Sequence, residues 1–252
     1  MIRALCLLIA TVGLLKPALA EEIVAGLSQD SVAITANFDG SEILVFGAIS
    51  REAPPPGDSD LHVIVTVAGP DRTITVRRKA RRFGIWVNTE AAEIDAAPTF
   101  YAVATTGPLS EIVTATEDLR HRISIPRAIR AVGLDVAAPG DFTEALMRIR
   151  QNEGTYRMLE GAVQLRENTL FDTAIALPAN LVEGDYETRI FLVREGAVVA
   201  QFQTEIAVRK VGLERIIFTL AHERPLIYGI LSLIIAIAAG WGASAAFQLL
   251  RR

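Results

Sequence analysis

Residues 225 to 250, PLIYGILSLIIAIAAGWGASAAFQLL, hold no Asp, Glu, Lys or Arg across 26 consecutive positions. At about 1.5 Å of rise per residue, a helix of that length crosses the roughly 30 Å hydrocarbon layer of a bilayer with some tilt. A buried helix of a water-soluble domain would carry a polar face, whereas only Ser232, Ser244 and Gln248 break the apolar run. Pro225 suits a first helical turn, where its missing N–H would be unpaired anyway. Tyr228 near one end and Trp241 with Phe247 towards the other are placed to anchor at the two interfaces. Arg251 and Arg252 follow at once, a short positive tail expected on the cytoplasmic side.

The other end of the chain points the same way. Arg3, an apolar run from Ala4 to Leu15, and Lys16-Pro17-Ala18-Leu19-Ala20 follow the pattern of a secretory signal. Roughly twelve apolar residues are too few to cross a bilayer, so residues 1 to 20 are expected to be a cleaved signal peptide. The single cysteine, Cys6, lies within it. The mature chain is then expected to lack disulfides, a thiolate nucleophile and Cys-ligated metal. The formal net charge of −4 gives no nucleic-acid footprint.

Between the two ends the apolar period is mostly two. Val32, Ile34, Ala36 and Phe38 alternate ahead of an Asp39-Gly40-Ser41 turn and SEILVFGAI, which predicts a hairpin. The loop REAPPPGDSD (51 to 60) cannot lie inside a sheet. Further strands are predicted at 61 to 68, 73 to 78, 83 to 88 and 99 to 106. The fold class is therefore mainly β, with residues 21 to 116 expected to form an antiparallel sandwich of immunoglobulin-like type. Residues 117 to 168 read as a helical segment: Phe142, Leu146 and Ile149 share a face that Asp141 can cap, and a second short helix is predicted through Tyr156, Leu159 and Val163. Residues 169 to 210 return to strands, ending in a face of Val198, Ala200, Phe202, Thr204, Ile206 and Val208. Three strands are too few to stand alone, so this membrane-proximal β region must join the helical segment or the first domain. Residues 211 to 224 predict an amphipathic helix leading into the span at 225 to 250 and the tail at 251 to 252.

Two clusters stand out as contact surfaces. Arg77, Arg78, Lys79, Arg81 and Arg82 put five cations in six positions of an otherwise acidic chain. They can hold an anion or an acidic partner, or they can guard an exposed strand edge against pairing. In the span, Gly229, Ser232, Ala236, Ala239, Gly240, Ala243 and Ser244 recur at helical spacing. Small residues on one stripe let a second helix approach closely, which predicts packing against another membrane protein or a second copy. His62, His121 and His222 have no metal-ligand spacing, and no nucleophile–base motif is present, so neither an enzyme nor a cofactor is expected.

The segments RRKARRFGIWVN (77 to 88), FTEALMRIR (142 to 150) with Tyr156, LFDTAIALPANLVEGDYETRIFLVREG (170 to 196), VRKVGLERIIF (208 to 218) and PLIYGI before the span resemble a family of alphaproteobacterial transmembrane proteins. That resemblance implies a single-pass protein of the bacterial inner membrane, N-terminus periplasmic and C-terminus cytoplasmic. It brings no catalytic residues. It also implies an association with permeases of the sulfite-exporter type, and hence a non-enzymatic accessory or scaffold subunit of a transporter complex. The alternative kept open is a membrane-tethered module that binds an anion or polyanion.

Overall fold

The computed structural model describes residues 21–35, 38–51, 60–131, 139–211, 217 and 220–250. The expected signal peptide, most of the proline loop, half of the amphipathic helix at 211 to 224 and the arginine tail lie outside these residues. The chain divides into two compact units, residues 1–32 with 39–207 and residues 33–38 with 208–252.

Strand by strand the order is β1 (Glu21–Leu27), β2 (Ser31–Ile34), β3 (Ser41–Arg51), β4 (Leu61–Ala68), β5 (Asp71–Arg82), β6 (Ile85–Pro98) and β7 (Tyr101–Thr105). Four helices follow, α1 (Leu109–Ile112), α2 (Ala115–His121), α3 (Ile125–Ala128) and α4 (Pro139–Asn152). Then come β8 (Tyr156–Leu159), β9 (Gln164–Arg166), β10 (Leu170–Leu177), β11 (Gly184–Arg194), β12 (Ala197–Lys210) and the long helix α5 (Pro225–Leu250). A four-stranded sheet has the order β1-β3-β10-β9, and a six-stranded sheet the order β2-β12-β11-β4-β7-β8. Strands β5 and β6 form a two-stranded sheet, and Ala96 of β6 also bridges Arg130 through two backbone hydrogen bonds.

The larger sheet is apolar on both faces at its centre. In β4, Val63, Val65 and Val67 point one way and Ile64 the other, and all four are buried. Register carries this across the sheet, since Ile64 stands opposite Phe191 of β11, and Val65 opposite Ile190. The Ile64 face forms a core with Tyr101, Val103, Phe191, Ile94, Ile123, Phe142 and Leu146, drawn from the sheet, the hairpin and the helices. The helices are there for a topological reason: β8 runs parallel to β7, and a parallel pair needs a long crossover. Residues 106 to 155 supply it, and the apolar face of α4 (Phe142, Leu146) lies in that core.

The sandwich and the mainly β class are as expected, and three points describe how the strands are used. First, β2 and β3 do not form a hairpin. Strand β3 is interior to its sheet, with β1 on one edge and β10 on the other, so no edge is left for β2, which joins β12. Second, residues 169 to 210 build no sheet of their own, as expected of so few strands: β10 pairs with β3 and β11 with β4, completing both layers. The parallel β7–β8 pair and this sharing of strands between chain ends lie outside the antiparallel immunoglobulin pattern. Third, the short helix expected through Tyr156 is strand β8. Tertiary pairing with β7 overrides the local period, and the Tyr156 hydroxyl donates to the Pro98 carbonyl at 2.8 Å.

Polar groups lock the layers. Glu21 of β1 accepts from Arg51 Nε of β3 at 3.0 Å and from Arg194 Nη2 of β11 at 2.6 Å, joining the two sheets through one largely enclosed carboxylate. Arg189 of β11 donates to the carbonyls of His121 at 2.8 Å and Arg122 at 3.2 Å, the unpaired C-terminal carbonyls of α2. The Tyr101 hydroxyl lies 2.8 Å from the Ile123 carbonyl and 3.3 Å from Arg189 Nη2. Close packing is decided by a glycine at one point in the smaller sheet: a Cβ on Gly47 would stand 2.5 Å from Cζ of Phe171 and 2.7 Å from the Val24 carbonyl.

Two outcomes follow for stability. Glu21→Gln leaves two largely enclosed guanidiniums short of a counter-charge, and should cost about 3 kcal/mol in chemical unfolding of the detergent-solubilised chain. Burial also pushes the phenol of Tyr101 up to about 12, and raises those of Tyr156 and Tyr186. A folded pKa above the unfolded value of about 10 means that this stabilisation is complete below pH ~10 and lost as pH rises towards 12. Phenolate absorbance should therefore rise late for these three residues and together with loss of secondary structure, whereas early independent ionisation would contradict the packing described.

Candidate functional site

The five cations predicted as a contact surface fall on one long hairpin. Strands β5 and β6 pair from Asp71 opposite Pro98 out to Arg82 opposite Ile85. The root is part of the core, where Val76, Ala92 and Ile94 are buried. A register shift between Arg78 and Lys79 marks the change in environment. Beyond it only Ala80 and Val87 keep partial cover, and every other side chain as far as Thr89 is exposed. The turn is Phe83-Gly84, with φ of 50° and 86°. Two successive positive φ values give the mirror-image turn that matches strand twist, usually Asn-Gly or Asp-Gly. This is why the break between strands is sharper here than the sequence signal.

Arg78 behaves unlike its neighbours. Its Nη1 donates to Glu90 at 3.2 Å and its Nη2 to Asp141 of α4 at 2.6 Å, and the guanidinium lies 5.0 Å from the centre of the buried Phe142 ring. Asp141, expected as the helix cap, sits inside α4 and serves this bridge instead. A groove of about 400 Å³ runs between the hairpin and α4, with Arg77, Arg78 and Lys79 on one wall and Asp141, Glu144 and Arg148 on the other. Its charges are mixed, and Arg78 is already neutralised within it.

Arg77, Lys79, Arg81 and Arg82 have no carboxylate within ion-pair distance among the described residues. Arg81 makes a single long bond of 3.4 Å to the Gly84 carbonyl. The sequence reading missed what lies among these cations. Phe83 is 106% exposed, Trp86 69% and Ile85 64%. The signal was present as a Phe-Gly-Ile-Trp run directly after two arginines, and it reads as strand until the turn is known.

The second predicted surface lies on α5, and none of Pro225–Ser244 is buried. At about 100° per residue, Gly229, Ser232, Ala236, Ala239, Gly240, Ala243 and Ser244 fall within an arc of about 140°. Ile227, Ile230, Ile234, Ile237 and Trp241 form a separate large-residue ridge at alternating spacings of three and four. Ser232 Oγ donates back to the Gly229 carbonyl at 2.9 Å, so its polar group needs no outside partner.

His62 lies 3.1 Å from Thr106 Oγ1, and His121 pairs with the buried Glu117, whose carboxylate also holds Arg120 and the Val198 N–H. Both serve packing. Among the described residues no group of three or more His, Cys, Asp or Glu stands close enough to hold a metal ion.

A helix that is apolar on all sides, long enough to span and uncovered from Pro225 to Ser244 belongs in a bilayer, and the family comparison agrees. The family model described as "Putative transmembrane protein (Alph_Pro_TM)" matches residues 22–249. The chain belongs to this family. The match takes in the sandwich, the hairpin and almost all of α5, so this family member is a membrane protein with one membrane-spanning helix among its described residues. A comparison with curated proteins found no match.

Arg78 and the tip arginines separate experimentally. Arg78→Ala should cost about 1–2 kcal/mol from the lost ion pairs and ring contact, and Asp141→Ala less than about 1 kcal/mol. Arg81→Ala with Arg82→Ala should stay within about 0.5 kcal/mol of the parent in urea unfolding. Equal costs at both places would contradict the division between root and tip.

Proposed function

We propose that this protein is a non-enzymatic accessory or scaffold subunit of a membrane complex, anchored in the bacterial inner membrane with its β unit in the periplasm and its C-terminus in the cytoplasm. The observation that carries this reading is α5, which is uncovered from Pro225 to Ser244 and has small residues gathered on one arc. In a bilayer the apolar face gains nothing from leaving lipid, so close approach through small residues is the main route to association. The partner is another integral membrane protein, and a permease of the sulfite-exporter type is the first to test. A second copy of the chain is the alternative occupant. The positive end of the span supports the stated orientation.

A second reading rests on Arg77, Lys79, Arg81 and Arg82, which are exposed and lack carboxylate partners among the described residues: a tethered module that meets an anionic surface or polyanion.

Photo-crosslinking in cells from Ala236 or Gly240 should capture one discrete membrane protein, and Gly240→Leu should abolish the capture. The same probe at Ile234, on the ridge, should capture far less. Equal capture from both stripes, or none with a monomeric chain in mild detergent, would refute docking through the small-residue arc.

A further inference from the structure

The fold gives no reason for the residues at the hairpin tip. Phe83 has a left-handed backbone at φ 50°, where a bulky side chain is strained and Asn or Gly sits more easily. Its ring is fully exposed, so packing does not offset that strain. Ile85 and Trp86 follow, also exposed. No acidic residue occurs from Lys79 to Thr89.

Register shows how these groups are distributed. Arg82 pairs with Ile85 and Arg81 with Trp86, and cross-strand partners share a face. Successive pairs alternate faces, so each face of the hairpin presents one arginine and one large apolar group, with Phe83 at the apex. A binding groove on a folded protein would be met by a one-sided surface. A tip that is the same on both sides suits a medium that is the same all round.

We propose that the tip enters the headgroup layer of an anionic lipid bilayer end-on, with Phe83, Ile85 and Trp86 at the acyl boundary and Arg81, Arg82 and Lys79 against lipid phosphates. This deepens the second reading above and rests on it, naming the polyanion as the lipid surface. The chemistry matches: aromatic rings prefer the membrane interface, and Lys or Arg beside an anionic surface is attracted to it. Buried apolar area and anionic attraction add in such binding. A bilayer is also the one surface that a membrane-spanning chain always has beside it. Arg78 stays outside the contact, holding the root to α4.

The chain has two tryptophans, so Trp241→Phe in the full-length protein leaves Trp86 as the sole reporter. The protein is reconstituted into phosphatidylcholine nanodiscs with or without phosphatidylglycerol, using lipids brominated on the acyl chain. Trp86 emission should shift to the blue and be quenched by bromolipid only in the anionic discs. Arg81→Glu with Arg82→Glu should remove the quenching, each lost charge weakening the contact about fivefold. Phe83→Ser tests the apolar part without altering charge, and should weaken quenching while leaving unfolding unchanged or slightly improved. Equal quenching in neutral discs, or a Trp86 fully open to acrylamide in both, overturns the proposal. If soluble polyphosphate shields Trp86 in neutral discs while anionic lipid does not, the lipid surface is wrong and the polyanion reading stands. If neither shields it, both fail. Shielding in lipid-free detergent that grows with protein concentration would assign the tip to a second copy and also overturn the proposal.

Discussion

The larger sheet is apolar on both faces at its centre, and the rest of the β unit answers to that. A strand such as β4, buried from Leu61 to Val67 apart from a partly covered His62, needs a layer on each side. Each large side chain taken out of water contributes about 1.5–3 kcal/mol, so neither face can be left open. One face has the smaller sheet, tied on by Glu21 between Arg51 and Arg194. The other face is not covered by the smaller sheet. It is closed by the crossover helices and the hairpin root, which meet in one core around Tyr101, Ile94 and Phe142.

That arrangement accounts for the hairpin's divided character. Its root must reach the core, so Val76 and Ile94 are buried and Arg78 is fastened to Asp141 and Glu90. Its outer turns extend past the helices that cover the root and are exposed, with only Ala80 and Val87 partly covered. A twelve-residue strand is about 40 Å long at 3.3 Å per residue, more than the core has depth to cover. The excess is thus built into the strand length, and it ends in residues chosen for something other than the fold.

Elements whose pattern follows from one exposed and one buried side were legible in the sequence. The six alternating positions of β12 from Val198 to Val208 are the more buried ones in the structure, and β4 runs over the expected residues 61 to 68. Phe142 and Leu146 face the core as the helical spacing indicated, while Ile149 is 47% exposed because the covered face ends a turn earlier. Pairing was not legible. The period of β2 and β3 is the same whether they pair with each other or with distant strands, and only the occupied edges of β3 decide it. The Tyr156 segment fits a helix locally and becomes strand because β7 offers a free parallel edge. The arginine cluster was visible as charge. Its separation into one structural and four unpaired cations needed the position of Asp141, far away in sequence.

The residues proposed to meet lipid escaped motif reasoning for a physical reason. Catalytic and metal sites require fixed distances between a few groups, and fixed distances leave spacing patterns. A fluid interface imposes no such distances. It asks only for apolar and cationic side chains at the end of something that reaches out, and its trace is an anomaly of exposure instead of a motif. Phe83, Ile85 and Trp86 are exposed in the folded chain and in an unfolded one, so the hydrophobic effect within the fold neither favours nor opposes them. A polar residue at any of the three would leave the core untouched, and Asn or Gly at position 83 would relieve the backbone. Phe83 is therefore a cost to the isolated fold, and the proposed contact with a lipid surface is what offsets it.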